Sequence, residues 1–211
     1  MNNSNENTAL SFERILFFSD AVFAIVITLL VLELRPPHIS HGEFSESLLR
    51  QTLLAMIPKF LGFIFSFFMV GILWIEHHRI FRFIGHFDFG LIWRNLIFLL
   101  CVTFVPFPTA LFSEYFLSTT AFVLYTFSFA VAGITKFWVW RYAVKKRDAL
   151  IIADATDELI KQISLRSLAA PIVCVLIISL SLIIGPFAGI LFPFIPLVAN
   201  LLYSKKREAK S

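Results

Sequence analysis

The sequence predicts an all-α integral membrane protein, with six transmembrane helices per subunit in a single domain over residues 1–211. Three observations predict it. Apolar residues make up 58% of the chain and charged residues 15%, whereas soluble domains average ~45–50% and ~25%. Mean hydropathy is +0.83, and the apolar residues fall into six runs near the ~20 residues needed to span a bilayer. Of the 18 lysines and arginines, 13 fall outside those runs.

The first run, Phe12–Leu34, is stopped by Pro36-Pro37. It exceeds the ~7–15 residue apolar core of a signal peptide and lacks a small-x-small cleavage site, so it reads as a retained helix. The second, Leu53–Ile75, carries Pro58 and Lys59 near its outer end, where lysine can snorkel to the interface. The third, Phe89–Phe112, is bent or ended by Pro106 and Pro108. The fourth covers Phe116–Tyr142. The fifth, Leu168–Ile184, and the sixth, Phe187–Tyr203, form a tight pair joined by Gly185-Pro186, and Pro193 and Pro196 make the sixth irregular. Between the fourth and fifth, the polar stretch Val144–Ser167 predicts a short surface helix. No second domain and no soluble catalytic module is expected.

Fifteen of the 18 basic residues lie on one side of this arrangement; only Arg35, Arg50 and Lys59 lie on the other. Basic loops stay in the cytoplasm, which predicts an even number of spans with both termini cytoplasmic in the cell membrane. The net charge of +4 therefore reports orientation and not nucleic-acid binding. Cys101 and Cys174 sit within apolar runs and read as buried free thiols.

Ionisable residues inside a span are costly and mark functional positions. The first helix holds the informative set. With Ile25 at zero on a helical wheel of ~100° per residue, Leu29 falls at about +40°, Leu32 at about −20° and Thr28 at about −60°. Ala21 and Ala24 flank them. One face is thus an aliphatic stripe edged by small residues, suited to close helix approach. Asp20 and Ser19 fall well away from it and face neighbouring helices. A stripe of this kind can equally pack or meet lipid.

The second helix ends in Trp74-Ile75-Glu76-His77-His78-Arg79. Adjacent histidines face different sides of a helix and do not chelate, and the spacing is not the H-E-x-x-H of zinc proteases. One histidine is expected to hydrogen-bond Asp20 or Ser19. His38, His41, Glu43 and Glu46 in the outer loop read as a solvated loop, with a weak cation site as the alternative. Snorkelling and capping account for Arg94 and Asn95. There is no Gly-rich phosphate loop, no G-x-S-x-G and no transmembrane carboxylate pair, so neither an enzyme nor a cofactor or metal site is expected. The T-V-G-Y-G filter of ordinary potassium channels is also missing.

Arg14-x-x-x-Phe18-Ser19-Asp20, continuing into Ala21-Val22-Phe23-Ala24-Ile25 and Thr28-Leu29-Leu30-Val31-Leu32-Glu33, resembles the transmembrane protein 175 family. Trp74, His77 and His78 are similar to that family's second helix. The resemblance implies a potassium-permeable cation channel, moderately selective over sodium, in which a homotetramer of single six-helix repeats surrounds a central pore. It implies that the first helix lines the pore, with a constriction at Ile25, Leu29 and Leu32 and an ion-selective hydroxyl at Thr28. It assigns Arg14, Ser19, Asp20 and His77 to a polar cluster that packs the pore helix. The partners so implied are potassium ions, the lipid bilayer and three further copies, with no nucleic acid. The alternative is a proton-coupled secondary transporter using Asp20 and a histidine.

Overall fold

Capping side chains and prolines set where the helices begin. The computed structural model describes residues 2–39, 42 and 44–191. Helix α1 runs Asn2–Leu29 and tightens into a 3-10 turn, Leu30–Glu33. A short α2 (Glu46–Ala55) is capped by Ser45, whose hydroxyl accepts from the Leu48 amide. Pro58 lies in the first turn of the next helix, α3 (Ile57–Phe81), so the chain breaks at Met56 and the second span runs further than the apolar pattern predicts. Asp88 caps α4 (Phe89–Phe104) and Pro106 restarts the chain as α5 (Pro106–Glu114), so the third predicted span is a helix bent at Val105. Ser118 caps α6 (Thr119–Lys145).

The expectation for residues 144–167 needs correction. After the single turn α7 (Arg147–Leu150), Thr156 caps a helix α8 that runs unbroken over Asp157–Ile184. The polar segment is therefore not a separate surface helix. Its acidic residues Asp157 and Glu158 occupy the first turn of the fifth span, where the helix dipole favours negative charge. Gly185, with φ +68°, ends α8 in a conformation that favours glycine, and a 3-10 segment follows to Leu191. The sixth predicted span, Phe187–Tyr203, lies outside the described residues beyond Leu191.

Among the described residues, five helical stretches are long and apolar enough to cross a membrane. The centre of the bundle is α6, which packs on both α4 and α8, while α1 lies to one side against α3 and α4. At the α6–α8 contact, a Cβ on Gly133 would come within 3.1 Å of the Pro171 ring, so glycine permits the close approach. Ser66 of α3, Thr109 of α5 and Tyr125 of α6 satisfy one another in the apolar interior, at 2.9 and 3.0 Å from Ser66 Oγ. At the loop end of the bundle, an isolated backbone bridge pairs Ile84 with Ile151.

Asp88 ties that end together. Its carboxylate accepts from the Leu91 amide, the Tyr142 hydroxyl and Lys146 Nζ, at 2.8, 2.8 and 2.7 Å. Partial desolvation raises its pKa, but the bonds from Lys146, Tyr142 and Leu91 outweigh it and hold the carboxyl at about 2. A depressed carboxylate stabilises the fold above its unfolded pKa near 3.8 and loses that contribution as pH falls toward 2. Asp88→Ala is expected to cost about 1 kcal/mol at neutral pH, as other lost caps do, and to flatten the acid dependence between pH ~4 and ~2. Thermal unfolding in detergent against pH measures both. A variant with the parent's acid slope would assign the slope to other carboxylates.

Candidate functional site: the two faces of the first helix

Helix α1 is clamped on one side and bare on the other. On the clamped side, Phe23, Val26 and Leu30 are buried against α3 and α4. Phe23 packs on the His77 ring at 5.7 Å and on Phe98 at 5.9 Å, and His77 stacks on Phe98 at 5.4 Å. The bare side carries Ile25, Leu29 and Leu32, which are 57%, 41% and 64% exposed in the single subunit. Ala21, Ala24 and Thr28 are exposed beside them. Thr28 donates its hydroxyl proton to the Ile25 carbonyl at 2.8 Å, which leaves the oxygen lone pairs for another donor or a cation.

The polar residues of α1 make specific bonds on the clamped side. Ser19 is fully buried; it donates to its own helix at Ile15 O and accepts from Asn95 Nδ2 at 2.9 Å. Asn95 Oδ1 lies 3.0 Å from His77 Nε2. Ser19, Asn95 and His77 thus form one chain across α1, α4 and α3. Asp20 accepts from the Trp74 indole at 2.8 Å.

These bonds differ in detail from the sequence expectation. The partner of Asp20 is Trp74 and not a histidine, because Trp74 lies one turn before His77 on the α3 face that meets Asp20. His77 reaches Ser19 only through Asn95. Asn95 is the hub of the group, rather than a cap; Asp88 caps α4 instead. An amide set in the middle of an apolar run was the signal for it. Arg14 is exposed, and among the described residues it makes no hydrogen bond or ion pair with this group.

A second polar group went unpredicted. Glu76 of α3, nearly buried, meets Arg79 at 2.6 Å, Arg166 of α8 at 3.0 Å and Lys136 of α6 at 3.9 Å. Lys136 is almost wholly buried. Lys59, expected to snorkel, pairs with Glu114 at 2.6 Å. Cys101 and Cys174 are free thiols. Of the outer-loop group, His41 and Glu43 lie outside the described residues; among the described residues no three metal-ligating side chains come together.

Long apolar helices, a buried polar seam and a single half-bare N-terminal helix define a multi-pass α-helical membrane protein. The chain belongs to the TMEM175 family. The family's sequence model, described as "Endosomal/lysosomal potassium channel TMEM175", matches residues 14–106. A crystal structure of a lysosomal potassium-selective channel TMEM175 homologue from Chamaesiphon minutus superimposes with a TM-score of 0.75 at 32% identity, covering 90% of this chain and 98% of that one. A potassium channel of Chamaesiphon minutus is 41% identical over 133 residues, 62% of this chain and 64% of that protein. The human endosomal/lysosomal proton channel TMEM175 is 43% identical over 77 residues, 34% of this chain and 15% of that protein. The match therefore spans less than two thirds of the length of these curated relatives. The family is one of ion channels and not of enzymes.

Proposed function

We propose that this protein is a potassium-permeable cation channel of the cell membrane, moderately selective for potassium over sodium, with both termini in the cytoplasm. The observation that carries the reading is the bare face of α1. Four copies of that face around a common axis would cover Ile25, Leu29 and Leu32 and make them successive rings of a narrow, carbonyl-free pore. The small residues Ala21, Ala24 and Thr28 would let the helices approach. Narrow aliphatic rings exclude water and force an ion to shed hydration, so they both limit conduction and gate by dewetting. Thr28 would offer its lone pairs to the dehydrating ion one turn from Ile25. Ser19, Asp20 and His77, with Asn95 and Trp74, would hold the pore helix in register from behind.

The relatives support a monovalent cation: the Chamaesiphon protein is named a potassium channel and the human one a proton channel. The proton-coupled transporter draws less support, because Asp20 is bonded to an indole, which carries no titrating proton, and not to a histidine.

The test is a planar bilayer containing only the purified protein, with potassium and sodium on opposite sides. Unitary current steps with a reversal potential displaced toward potassium are expected, together with a tetrameric mass in detergent. Steady flux without unitary steps would move the reading to a transporter. A reversal potential that follows only the pH gradient would make protons the permeant ion. A monomer with no current would remove the central pore.

A further inference from the structure

We infer that the cavity between the end of α3 and the start of α8 is a binding site for the phosphate of an anionic phospholipid. The cavity measures about 250 Å³ and is lined by Arg79, Arg82 and Arg166, by Gln162, and by the apolar side chains Phe83, Leu159 and Ile163. Three guanidiniums facing one cavity repel one another. Glu76 lies against this group, but its single charge is shared among Arg79, Arg166 and the buried Lys136. Arg82 adds a further cation at the C-terminal cap of α3. Arg79, Arg82, Arg166 and Lys136 stand against Glu76 here, a positive balance that suits an anion.

The donor set selects the anion's chemistry. Guanidinium forks match the tetrahedral oxygens of phosphate and bind them in bidentate fashion, where lysine would act as a point charge. The Gln162 amide supplies a neutral donor. The apolar part of the lining suits the carbon substituents of a phosphate ester better than it suits a bare ion. Position points the same way: the cavity lies between the end of one helix long and apolar enough to span a bilayer, Ile57–Phe81, and the start of another, Asp157–Gly189, and the ends of spanning helices meet the lipid headgroups. Basic pockets between helices at that level hold anionic headgroups. A ligand held there would bridge α3, which carries Trp74 and His77 behind the first helix, to α8.

Thermal unfolding of the purified protein in detergent tests this. Phosphatidylglycerol is added in one arm, phosphatidylcholine in a second and inorganic phosphate in a third. The midpoint is expected to rise with the logarithm of phosphatidylglycerol concentration and to stay unmoved by phosphatidylcholine, whose net charge is zero. Arg82→Gln changes an exposed residue and should unfold like the parent without lipid, yet bind phosphatidylglycerol about tenfold more weakly, as loss of a charge-assisted bond implies. Lys145→Gln, an exposed basic residue at the same end of the bundle but outside the cavity, should retain the full response. Equal responses to both lipids, or a phosphatidylglycerol response unchanged in an Arg79→Gln, Arg82→Gln double variant, would overturn the assignment. A response to inorganic phosphate that depends on Arg82 and is not exceeded by phosphatidylglycerol would overturn the lipid as its source and leave a free-phosphate site.

Discussion

Replacing Ile25 with asparagine is expected to raise cation conductance and to weaken discrimination against sodium. In the proposed tetramer, four Ile25 side chains form the narrowest ring. An ion crossing it loses hydration and gains no carbonyl cage in return, so the barrier is set by side-chain polarity and width. Asparagine supplies amide dipoles at similar size and makes the ring wettable. Each ~1.4 kcal/mol removed from a barrier raises a rate about tenfold, and a buried polar contact is worth ~1–3 kcal/mol. A rise of about tenfold or more is therefore the expected scale. Ile25→Ala should act in the same direction through width alone, and Leu29→Asn less strongly. Phe23→Leu is the control: Phe23 is 1% exposed on the opposite face, held between His77 and Phe98, so permeation should hardly change in the channels that fold. Unitary current and reversal potential in mixed potassium and sodium are the readouts. A folded Ile25→Asn tetramer with the parent's conductance and selectivity would show that α1 does not line the pore at this depth.

Much of what positions this face was legible in the chain, because a helix has a fixed period. The wheel that put Ile25, Leu29 and Leu32 on one side put Ser19 well away from them, and Ser19 is buried. The breaks at Met56 and Val105 were written as Pro58 and Pro106, and the start of α8 as Thr156 followed by two acids. Hydropathy misplaced that start, since it registers where lipid begins and not where hydrogen bonding begins. What the period cannot give is which residue of another helix arrives opposite. Asp20 meets Trp74 because of how α1 leans on α3, and Asn95 reaches Ser19 across 76 residues of chain. Glu76 and Arg166 lie 90 positions apart in two apolar helices, and nothing local to either announces the other.

That second group gives the largest expected effect on stability. Glu76→Gln keeps the shape of the side chain and removes its charge. Lys136, 2% exposed, and Arg166, 16% exposed, then lose the carboxylate that faces them. Removing one partner of a buried ion pair typically costs about 3–5 kcal/mol, far more than the pair itself contributes, because the remaining charge is left in a poorly solvating interior. The cost should fall mainly on the most buried cation. Lys136 also has the longest contact to the carboxylate, 3.9 Å, so its own attraction to Glu76 offsets little of its desolvation. Lys136→Met alone should therefore be nearly neutral or stabilising. Added to Glu76→Gln, it should recover a substantial part of the loss, and the size of that recovery measures the coupling directly. Thermal unfolding of the four proteins in detergent completes the cycle. If Glu76→Gln unfolds with the parent, the carboxylate does not neutralise these cations; if Lys136→Met fails to relieve it, the uncompensated charge resides on Arg166 instead, where the cavity arginines converge.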